Sequence, residues 1–323
     1  MPILSDFLRG TSGLIVFAII FHNPTSGTKG VDKQSLLAAI KLANIDGEYV
    51  STKSDDFEKA LDQKADLFVA AGGDGTIRKI IIGAREKKVP IAIFPLGTAN
   101  NVARSLGISG TPQELVETWD LEHAIPFDLG VAQGSWGTTS FIESFGVGLF
   151  PQYLISAGEE DKLEGAENLL QGRKLLQKAL KKAKPAVLEI RVDGKALKGD
   201  FLGVEVLNIS FTGPGLPLGQ RADATDRKLD VVCFETNAKQ DLAKWLDAPS
   251  DSAPPVVSRQ ASEVQITWRN VANRLDDKTF TNEDAIQTAE LSCEKKPTAV
   301  LIPKKLAIQK VHERKAGEPV ATR

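Results

Sequence analysis

Two glycine-rich segments carry the residue types best suited to chemistry in this chain. Gly72–Thr76 reads GGDGT and Pro95–Asn101 reads PLGTANN, and each follows an apolar run. Glycine has no Cβ atom, so backbone N–H groups in such segments can approach a phosphate closely. The acid Asp74 favours a metal-bound phosphate or a catalytic hydroxyl over a bare anion. Together the segments predict a nucleotide phosphate site, whereas GGDGT alone would also fit an ordinary strand-to-helix connection.

A third segment, Asn23–Gly27 (NPTSG), follows the apolar run Leu14–Phe21 and has the composition of a turn. Its small side chains supply hydrogen-bonding groups without bulk. We therefore expect this turn to form another loop that borders the same nucleotide site. Three such segments in succession favour a built site over coincidence.

The apolar runs before these segments predict the elements that position them. Leu67–Ala71 and Ile91–Phe94 are typical of buried parallel strands, and Ile77–Lys88 between them has helical spacing. A helix is also predicted over Lys33–Leu42, and a strand near Glu48–Val50. This alternation predicts an α/β domain with a parallel sheet and helices on both faces. The three turns then lie at the carboxyl edge of the sheet, where open α/β folds bind ligands.

These motifs, in this order and at this spacing, resemble the diacylglycerol kinase catalytic-domain family, which includes sphingosine and ceramide kinases and soluble bacterial lipid kinases. The resemblance extends over about residues 14 to 303. Its further matches are Phe127–Gly130, Phe141–Gly148, Val206–Asn208, Gly213–Gly215 and Ala222–Asp230. NAD kinase and phosphofructokinase share only the GGDG turn, so PLGTANN and the later motifs favour the lipid kinases.

Beyond about Phe127 the long helices give way to short apolar strands, which predicts a second, mainly antiparallel domain. The predicted strands are Thr138–Phe145, Ala186–Val192, Leu202–Ile209, Leu229–Phe234, Glu263–Thr267 and Val300–Ile302. A hairpin turn is expected at Asp193-Gly194. The resemblance implies that this domain is a β-sandwich and that the active site lies in the cleft between the domains. We expect a nucleotide-binding α/β domain over residues 1–127, a lipid-substrate sandwich over 128–303, and a tail, 304–323, that returns to the first domain.

The resemblance implies an ATP-dependent lipid kinase that transfers the γ-phosphate to a hydroxyl of a diacylglycerol-like or sphingoid lipid, with ATP and Mg²⁺ as cofactors. The residues implied to bind the nucleotide are Asn23, Pro24, Thr25, Ser26, Gly27, Thr52, Gly72, Gly73, Asp74, Gly75, Thr76, Arg78, Gly97, Thr98 and Asn100. Asp74 would bind or orient Mg²⁺ beside the γ-phosphate, and Asp128 would extend that acidic network. Arg104 would stabilise charge on the transferring group or pair with an acid.

A second ion is implied in the sandwich domain, as a structural Mg²⁺ or Ca²⁺. Its oxygen ligands would be the Asp226 carboxylate and the carbonyls of Asp223 and Lys228. Without the family match, a plain Asp-containing turn accounts for this segment equally well.

The chain departs from the family pattern in three places. Arg78-Lys79 stands where members have Asn-Glu, and Asn101 stands where they have the acid of GTAND. Thr281–Asp284 replaces Asp-Gly-Glu, whose glutamate is assigned as the proton acceptor. Either Glu283 or Asp284 is then a candidate base, and an exposed acidic turn is the equal alternative. These departures indicate an altered substrate or a lost activity, and they do not argue against the fold.

The composition fits two domains and gives no sign of nucleic-acid binding. The 323 residues include 40 basic and 42 acidic side chains. Cys233 and Cys293 lie in apolar runs and are expected to be reduced. No apolar run is long enough to cross a bilayer, and a weak signal-peptide pattern at the N-terminus overlaps the first strand. We expect a cytoplasmic protein, peripheral at the inner membrane face.

Residues 162–183 predict an amphipathic helix whose C-terminal half is basic. Its apolar face can pack on the sandwich, which is the simpler account, or lie on anionic lipid. The expected partner is a lipid substrate presented at a membrane surface, and a homodimer is compatible with the sequence. Two other functions stay open: a non-catalytic lipid- or nucleotide-binding protein, and an NAD-kinase-like kinase for a small molecule.

Overall fold

The structure is a computed structural model that describes residues 16–27, 31–158, 165–249, 252–281, 286–304 and 306. The chain divides into two compact units. The first comprises the described residues up to Leu96, Leu106–Phe127, and those from Thr298 onwards. The second comprises Gly97–Ser105 and Asp128–Pro297. Relative to the predicted boundaries, Gly97–Ser105 lies with the second unit and Thr298 with the first.

The elements up to Phe127 are, in chain order, β1 (Val16–His22), α1 (Lys33–Leu42), β2 (Ile45–Ser51), α2 (Phe57–Leu61), β3 (Leu67–Gly72), α3 (Asp74–Gly83), β4 (Ile91–Pro95), α4 (Asn101–Ser105), α5 (Pro112–Val116) and β5 (Ile125–Phe127). The elements that follow are β6 (Gly130–Gly134), β7 (Gly137–Phe141), β8 (Ser144–Gly148), α6 (Leu149–Gly158), α7 (Gly165–Lys182), β9 (Leu188–Val192), β10 (Lys195–Leu197), β11 (Phe201–Leu207), β12 (Leu229–Glu235), α8 (Lys239–Trp245), β13 (Val257–Ala261), β14 (Val264–Arg269), β15 (Asn273–Leu275), β16 (Lys278–Phe280), β17 (Ile286–Cys293) and β18 (Thr298–Val300).

The first unit is built on a six-stranded sheet in the order β2-β1-β3-β4-β18-β5. Every neighbouring pair is parallel except β18 with β5. All six residues of β3 are buried, as expected of a parallel strand that is covered on both faces. The predicted α/β domain with a parallel sheet is confirmed.

Local signals account for the helices of this unit. The Asp32 carboxylate accepts a hydrogen bond from the backbone N–H of Ser35 at 2.8 Å and so begins α1, as predicted from Lys33. The predicted helix Ile77–Lys88 had the wrong bounds, because α3 runs from Asp74 to Gly83. Gly73 is its N-cap, so the last residues of the GGDGT segment already form the first helical turn.

The second unit contains two six-stranded antiparallel sheets, ordered β10-β9-β14-β17-β6-β7 and β13-β12-β11-β8-β15-β16. Both sheets contribute to one core. Phe141, Ile266 and Trp268 enter it from the first sheet, and Phe145 and Val206 from the second. The predicted β-sandwich is therefore confirmed.

Two predicted strands are corrected. The expected strand Thr138–Phe145 is divided into β7 and β8, which belong to different sheets. The chain breaks there because Ile142 and Glu143 donate their backbone N–H groups to the Asp276 carboxylate instead of to a neighbouring strand. The last predicted strand, Val300–Ile302, is β18, and it pairs with β4 and β5 in the first unit rather than in the sandwich.

The apolar face of α7 is buried within the second unit. Leu175, Leu176, Ala179 and Leu180 join a cluster that includes residues of α6, α8, β11 and β12. Packing on the sandwich therefore explains the apolar half of this helix. Among the helices in the described ranges, none has both the length and the apolar character needed to span a bilayer.

A buried ion pair crosses three neighbouring strands of the second sheet of the sandwich. Arg274 on β15 donates to the Glu205 carboxylate on β11, with Nη2 at 2.7 Å from Oε2, and both side chains are buried. Gly146 on β8 lies in register between them. A Cβ atom at Gly146 would collide with the Glu205 carboxylate, so only glycine leaves room for the pair.

We expect Arg274→Met to lower the free energy of unfolding by about 3–5 kcal/mol, because it leaves the Glu205 charge buried without its cation. Urea denaturation at neutral pH measures this loss. The matched control is Arg191→Met, on the exposed side of β9, which we expect to change stability by no more than about 0.5 kcal/mol.

The deficit of Arg274→Met depends on pH. Burial raises the pKa of Glu205, and Arg274 opposes that rise, so in the variant the pKa moves further up. Below the unfolded-state pKa of about 4.3 the carboxyl is protonated in both states, so the deficit is smallest there. It grows as the pH rises toward the raised folded-state pKa. A deficit of equal size at pH 4 and pH 7 would contradict this account.

Candidate functional site

The predicted turns of the first unit meet at the carboxyl edge of its sheet. The backbone N–H of Asn23, just after β1, donates to the carbonyl of Ala71 on β3 at 3.0 Å. The backbone N–H of Thr52, just after β2, donates to the carbonyl of His22 at 2.8 Å. The backbone N–H of Leu96, just after β4, donates to the carbonyl of Gly72 at 2.9 Å. The ends of β1, β2, β3 and β4 are thus joined in one row.

The Asn23–Gly27 turn is closed by its own side chains. Asn23 Oδ1 accepts from the N–H of Thr25 at 3.2 Å and from its hydroxyl at 3.0 Å. The Ser26 hydroxyl donates to the carbonyl of Asn23 at 2.7 Å. Pro24, Thr25 and Gly27 are exposed, so the outer side of the turn faces solvent.

Gly27 is required by its backbone and by its neighbour. Its φ is +79°, a conformation that glycine adopts at little cost. A Cβ atom there would also collide with the carbonyl oxygen of Leu96. The NPTSG turn and the start of the PLGTANN segment therefore approach each other as closely as backbones allow.

The GGDGT segment leads straight into a helix N-terminus. Gly72 ends β3, Gly73 caps α3, and Asp74, Gly75 and Thr76 form its first turn. The N–H groups at such a terminus bind anions. Asp74 is half-buried there, and its carboxylate oxygens are of the kind that Mg²⁺ prefers. Arg78 lies one turn further along α3 and is also half-buried.

His22, at the end of β1, is buried, and its Nδ1 lies 3.0 Å from the Tyr49 hydroxyl. Burial lowers the pKa of His22, and Asp32 opposes this effect. The side chain therefore supports the strand end as a neutral ring.

In the second unit, the side-chain amide of Asn100 closes the Gly97–Asn100 turn with two hydrogen bonds. Asn100 Oδ1 accepts from the N–H of Gly97 and its Nδ2 donates to the carbonyl of Gly97, both at 2.8 Å. Asn100 has a φ of +48°, which asparagine tolerates better than most side chains. Thr98, within the turn, is half-buried.

Arg104 lies on α4 and contacts the loop after β11. Its guanidinium carbon is 4.1 Å from the centre of the Phe211 ring, and Nη1 is 3.4 Å from the carbonyl of Gly215. No pattern in the sequence connected these two segments.

Asp128 and the predicted ion-binding loop lie together. Asp128 is buried, its Oδ2 accepts from the N–H of Arg227 at 2.7 Å, and its own N–H donates to Ala224 at 2.6 Å. Burial raises the pKa of Asp226 in the same loop.

Two of the predicted ligands of the second ion, the Asp226 carboxylate and the Asp223 carbonyl, accept hydrogen bonds from protein groups. Asp226 Oδ1 accepts from the N–H of Lys228 at 2.9 Å, and its Oδ2 accepts from Gln260 at 3.1 Å. The carbonyl of Asp223 accepts N–H groups from Thr225 and Asp226. These are the hydrogen bonds of an Asp-containing turn, and the second ion stays a prediction. In the described part of the chain, no three His, Cys, Asp or Glu residues are grouped as metal ligands.

The predicted bases Glu283 and Asp284 lie outside the described residues. Of the predicted tail contacts, Lys304 is described: its Nζ lies 3.0 Å from Asp120, within the first unit. Cys233 and Cys293 are free thiols, and burial raises the pKa of each to about 12, so neither is a thiolate at neutral pH.

A buried polar network in the second unit escaped the sequence analysis. Glu143, Glu205, Arg274 and Asp276 are linked directly and through the hydroxyl of Thr212. Thr212 Oγ1 accepts from Arg274 and donates to Glu143 Oε1, at 2.7 and 2.6 Å. The sequence did contain one signal of this network: Glu205 stands between two valines in β11. Charged side chains are rarely buried unless they are paired, so a partner for Glu205 could have been expected.

Comparisons with known proteins find similarity to diacylglycerol kinases. Residues 17–132 match the model of the diacylglycerol kinase catalytic domain. A diacylglycerol kinase of Bacillus subtilis is 27% identical over 244 residues, covering 71% of this chain and 76% of its own length. One of Staphylococcus aureus is 27% identical over 267 residues, covering 71% of this chain and 83% of its own.

Solved structures share the fold. A diacylglycerol kinase from Bacillus anthracis is similar with a TM-score of 0.66 at 18% identity, over 92% of this chain and 100% of that one. An NAD kinase from Archaeoglobus fulgidus in complex with ATP is similar with a TM-score of 0.50 at 14% identity, over 94% and 99% of the two chains.

Two glycines of the turns give a matched test of this geometry. We expect Gly27→Ala to lower the thermal midpoint measurably, by about 2 °C or more, because strain and overlap of this kind cost about 1–3 kcal/mol. Gly75→Ala introduces a Cβ that meets no atom within 4 Å on a helical residue, so it should be neutral or slightly stabilising. Equal midpoints for the two variants, measured by differential scanning calorimetry, would contradict the close approach of the turns.

Proposed function

We propose a function from one premise: residues 17–132 of this chain belong to the diacylglycerol kinase catalytic-domain family. The protein is an ATP-dependent lipid kinase that transfers the γ-phosphate to a hydroxyl of a diacylglycerol-like or sphingoid lipid. Its relatives named diacylglycerol kinase support a kinase, and the NAD kinase of the same fold, solved with ATP, supports ATP as the donor.

The observation that carries the proposal is the row of turns at one sheet edge. Asn23–Gly27, Thr52 and Gly72–Thr76 meet there, and α3 begins at the same edge. This arrangement suits a chain of phosphates, because backbone donors and a helix N-terminus stabilise negative charge. We assign these residues, with Arg78, to nucleotide binding.

In the proposed reaction the lipid hydroxyl oxygen forms a bond to the γ-phosphorus. The bond from that phosphorus to the bridging oxygen of ADP breaks, and the hydroxyl proton passes to a carboxylate, for which we propose Glu283 or Asp284. Asp74 would hold Mg²⁺, which when bound neutralises charge on the phosphates. We also assign Gly97, Thr98 and Asn100 to nucleotide binding, with Arg104 and Asp128 as supporting groups.

The departures at Arg78-Lys79, Asn101 and Thr281–Asp284 favour a second candidate, a non-catalytic lipid- or nucleotide-binding protein on the same scaffold. A kinase for a small molecule such as NAD is a third. Phosphate transfer separates the three, because only a lipid kinase labels a lipid and only an NAD kinase labels NAD.

We expect labelled γ-phosphate to pass from Mg·ATP to at least one micellar lipid among diacylglycerol, monoacylglycerol, sphingosine, ceramide and phosphatidylglycerol. Asp74→Ala should lower the rate at least about 100-fold, because it removes a charged group that acts on the transferring phosphate. Asp46→Ala, an exposed acid on β2, is the matched control and should leave the rate unchanged.

The outcome assigns the function. If the labelled phosphate appears on NAD and on no lipid, the protein is an NAD kinase and not a lipid kinase. No labelled acceptor, with nucleotide binding intact, would support the non-catalytic candidate.

We also propose that the basic half of α7 holds the protein at anionic membranes. Lys178, Lys181 and Lys182 are exposed, and each basic residue near such a surface contributes about 1 kcal/mol. Changing all three to Glu should therefore reduce sedimentation with phosphatidylglycerol vesicles at least tenfold. Reversal of the exposed Lys53, Lys195 and Lys198 is the control for total charge. Equal loss in both triple variants would mean that net charge, and not α7, governs the binding.

A further inference from the structure

Three hydrogen bonds attach α4 to the loop after β11 in the second unit. Asn101 Nδ2 donates to the carbonyl of Gly213 at 3.0 Å, and Arg104 Nη1 to that of Gly215 at 3.4 Å. In the other direction, the N–H of Phe211 donates to the Ser105 hydroxyl at 3.0 Å. The Gly97–Ser105 segment is therefore placed by this loop.

Glu143 accepts hydrogen bonds from both sides of that attachment. Its Oε2 lies 3.3 Å from Asn101 Nδ2 on α4. Its Oε1 accepts from the Thr212 hydroxyl at 2.6 Å and from the N–H of Gly213 at 3.0 Å on the loop. One carboxylate thus joins the two segments.

Glu143 is itself held rigidly. Its backbone N–H donates to Asp276 Oδ1 at 2.8 Å, and Arg274 Nη1 lies 3.9 Å from its carboxylate. The side chain is 12% exposed, so the hydrogen bonds it accepts are largely shielded from water. In such surroundings a missing partner costs more than it would at the surface.

We propose that Glu143 is a positioning residue of the nucleotide site, and that it supplies the carboxylate which the resembling family carries at position 101. The inference rests on the proposed function, because it assumes that Gly97, Thr98 and Asn100 contact the nucleotide. Asn101 has lost the acid of GTAND, and its amide now donates to the acid at Glu143.

The chemistry of the amide explains why Glu143→Gln alone is not a neutral change. Three donors now bind the two carboxylate oxygens of Glu143: the Asn101 amide, the Thr212 hydroxyl and the N–H of Gly213. A glutamine has only one side-chain oxygen, so its NH₂ group would face at least one of these donors. Where it turned NH₂ toward Asn101, two donors would face each other. Asn101 could reverse its amide only by giving up its bond to Gly213, and its Oδ1 is buried with no hydrogen-bond partner among the described residues.

The change Asn101→Asp has the opposite defect. The new carboxylate would face that of Glu143 across the 3.3 Å now spanned by a hydrogen bond, and two like charges at that distance repel. With both changes together, the glutamine amide at position 143 can donate to the aspartate carboxylate at position 101. The second change should therefore relieve the repulsion between positions 101 and 143, while the hydrogen bond to the carbonyl of Gly213 stays lost, so the compensation is partial.

The test is a double-mutant cycle on the full chain: Asn101→Asp, Glu143→Gln, and both together. Calorimetry without lipid measures Mg·ATP affinity, at a temperature well below each variant's unfolding midpoint. We expect the affinity to fall at least tenfold in each single variant, and the double variant to recover at least about tenfold relative to Asn101→Asp. The control Glu263→Gln, on an exposed glutamate of the same unit, should bind as the wild type does.

The outcomes separate this inference from the proposed function. Affinity losses that multiply in the double variant would overturn the inference, as would an unchanged affinity in Glu143→Gln with only its unfolding midpoint lowered. If the wild type binds Mg·ATP but phosphorylates no lipid, the lipid-kinase proposal is wrong. The double-mutant cycle would still test whether Glu143 positions the nucleotide site. A wild type that does not bind Mg·ATP would overturn both.

Discussion

The first unit depends on four parallel strands that end in one row. Hydrogen bonds from Asn23 to Ala71 and from Leu96 to Gly72 fix where β1 and β4 end relative to β3. Because β3 is buried on both faces, its side-chain pattern does not set the register, and these hydrogen bonds maintain the row. The turns that follow these strands therefore lie side by side at the same sheet edge. Gly27 allows two of them, the NPTSG turn and the start of the PLGTANN segment, to approach each other closely. The candidate phosphate site is thus a consequence of strand register.

The second unit depends on a different constraint, the charge buried across β11, β8 and β15. The Glu205–Arg274 pair requires glycine at position 146, and Thr212 carries its hydrogen bonds onward to Glu143. Removing one member of such a network leaves the others unsatisfied in a place that water does not reach. A network of this kind selects one arrangement of strands and loops. It therefore fixes α4 as well as the sheet.

Sequence reasoning reached the fold and the sheet-edge turns because both follow from local pattern. An apolar run followed by Asn-Pro or Gly-Gly marks a strand end whatever the rest of the chain does. It failed where the decisive partner was distant. The break between β7 and β8 depends on Asp276, more than 130 residues away, and β18 leaves the sandwich because its partners are β4 and β5. The pairing of Glu205 with Arg274 depends on register across β8, which no local pattern encodes.

The departures from the family pattern at Arg78-Lys79 and Asn101 fall on side chains, and the glycines of the sheet-edge turns are kept. The glycines at 27, 72 and 146 stand where a Cβ atom would collide with a neighbour, so the fold retains them. Asn101 instead contacts Glu143, and under the pairing that we propose an acid and an amide could exchange between these two positions. A change at 101 is therefore not by itself the loss of a function, because its partner decides what charge the pair presents. A departure such as Asn101 is therefore overstated when it is judged without the residue that it contacts.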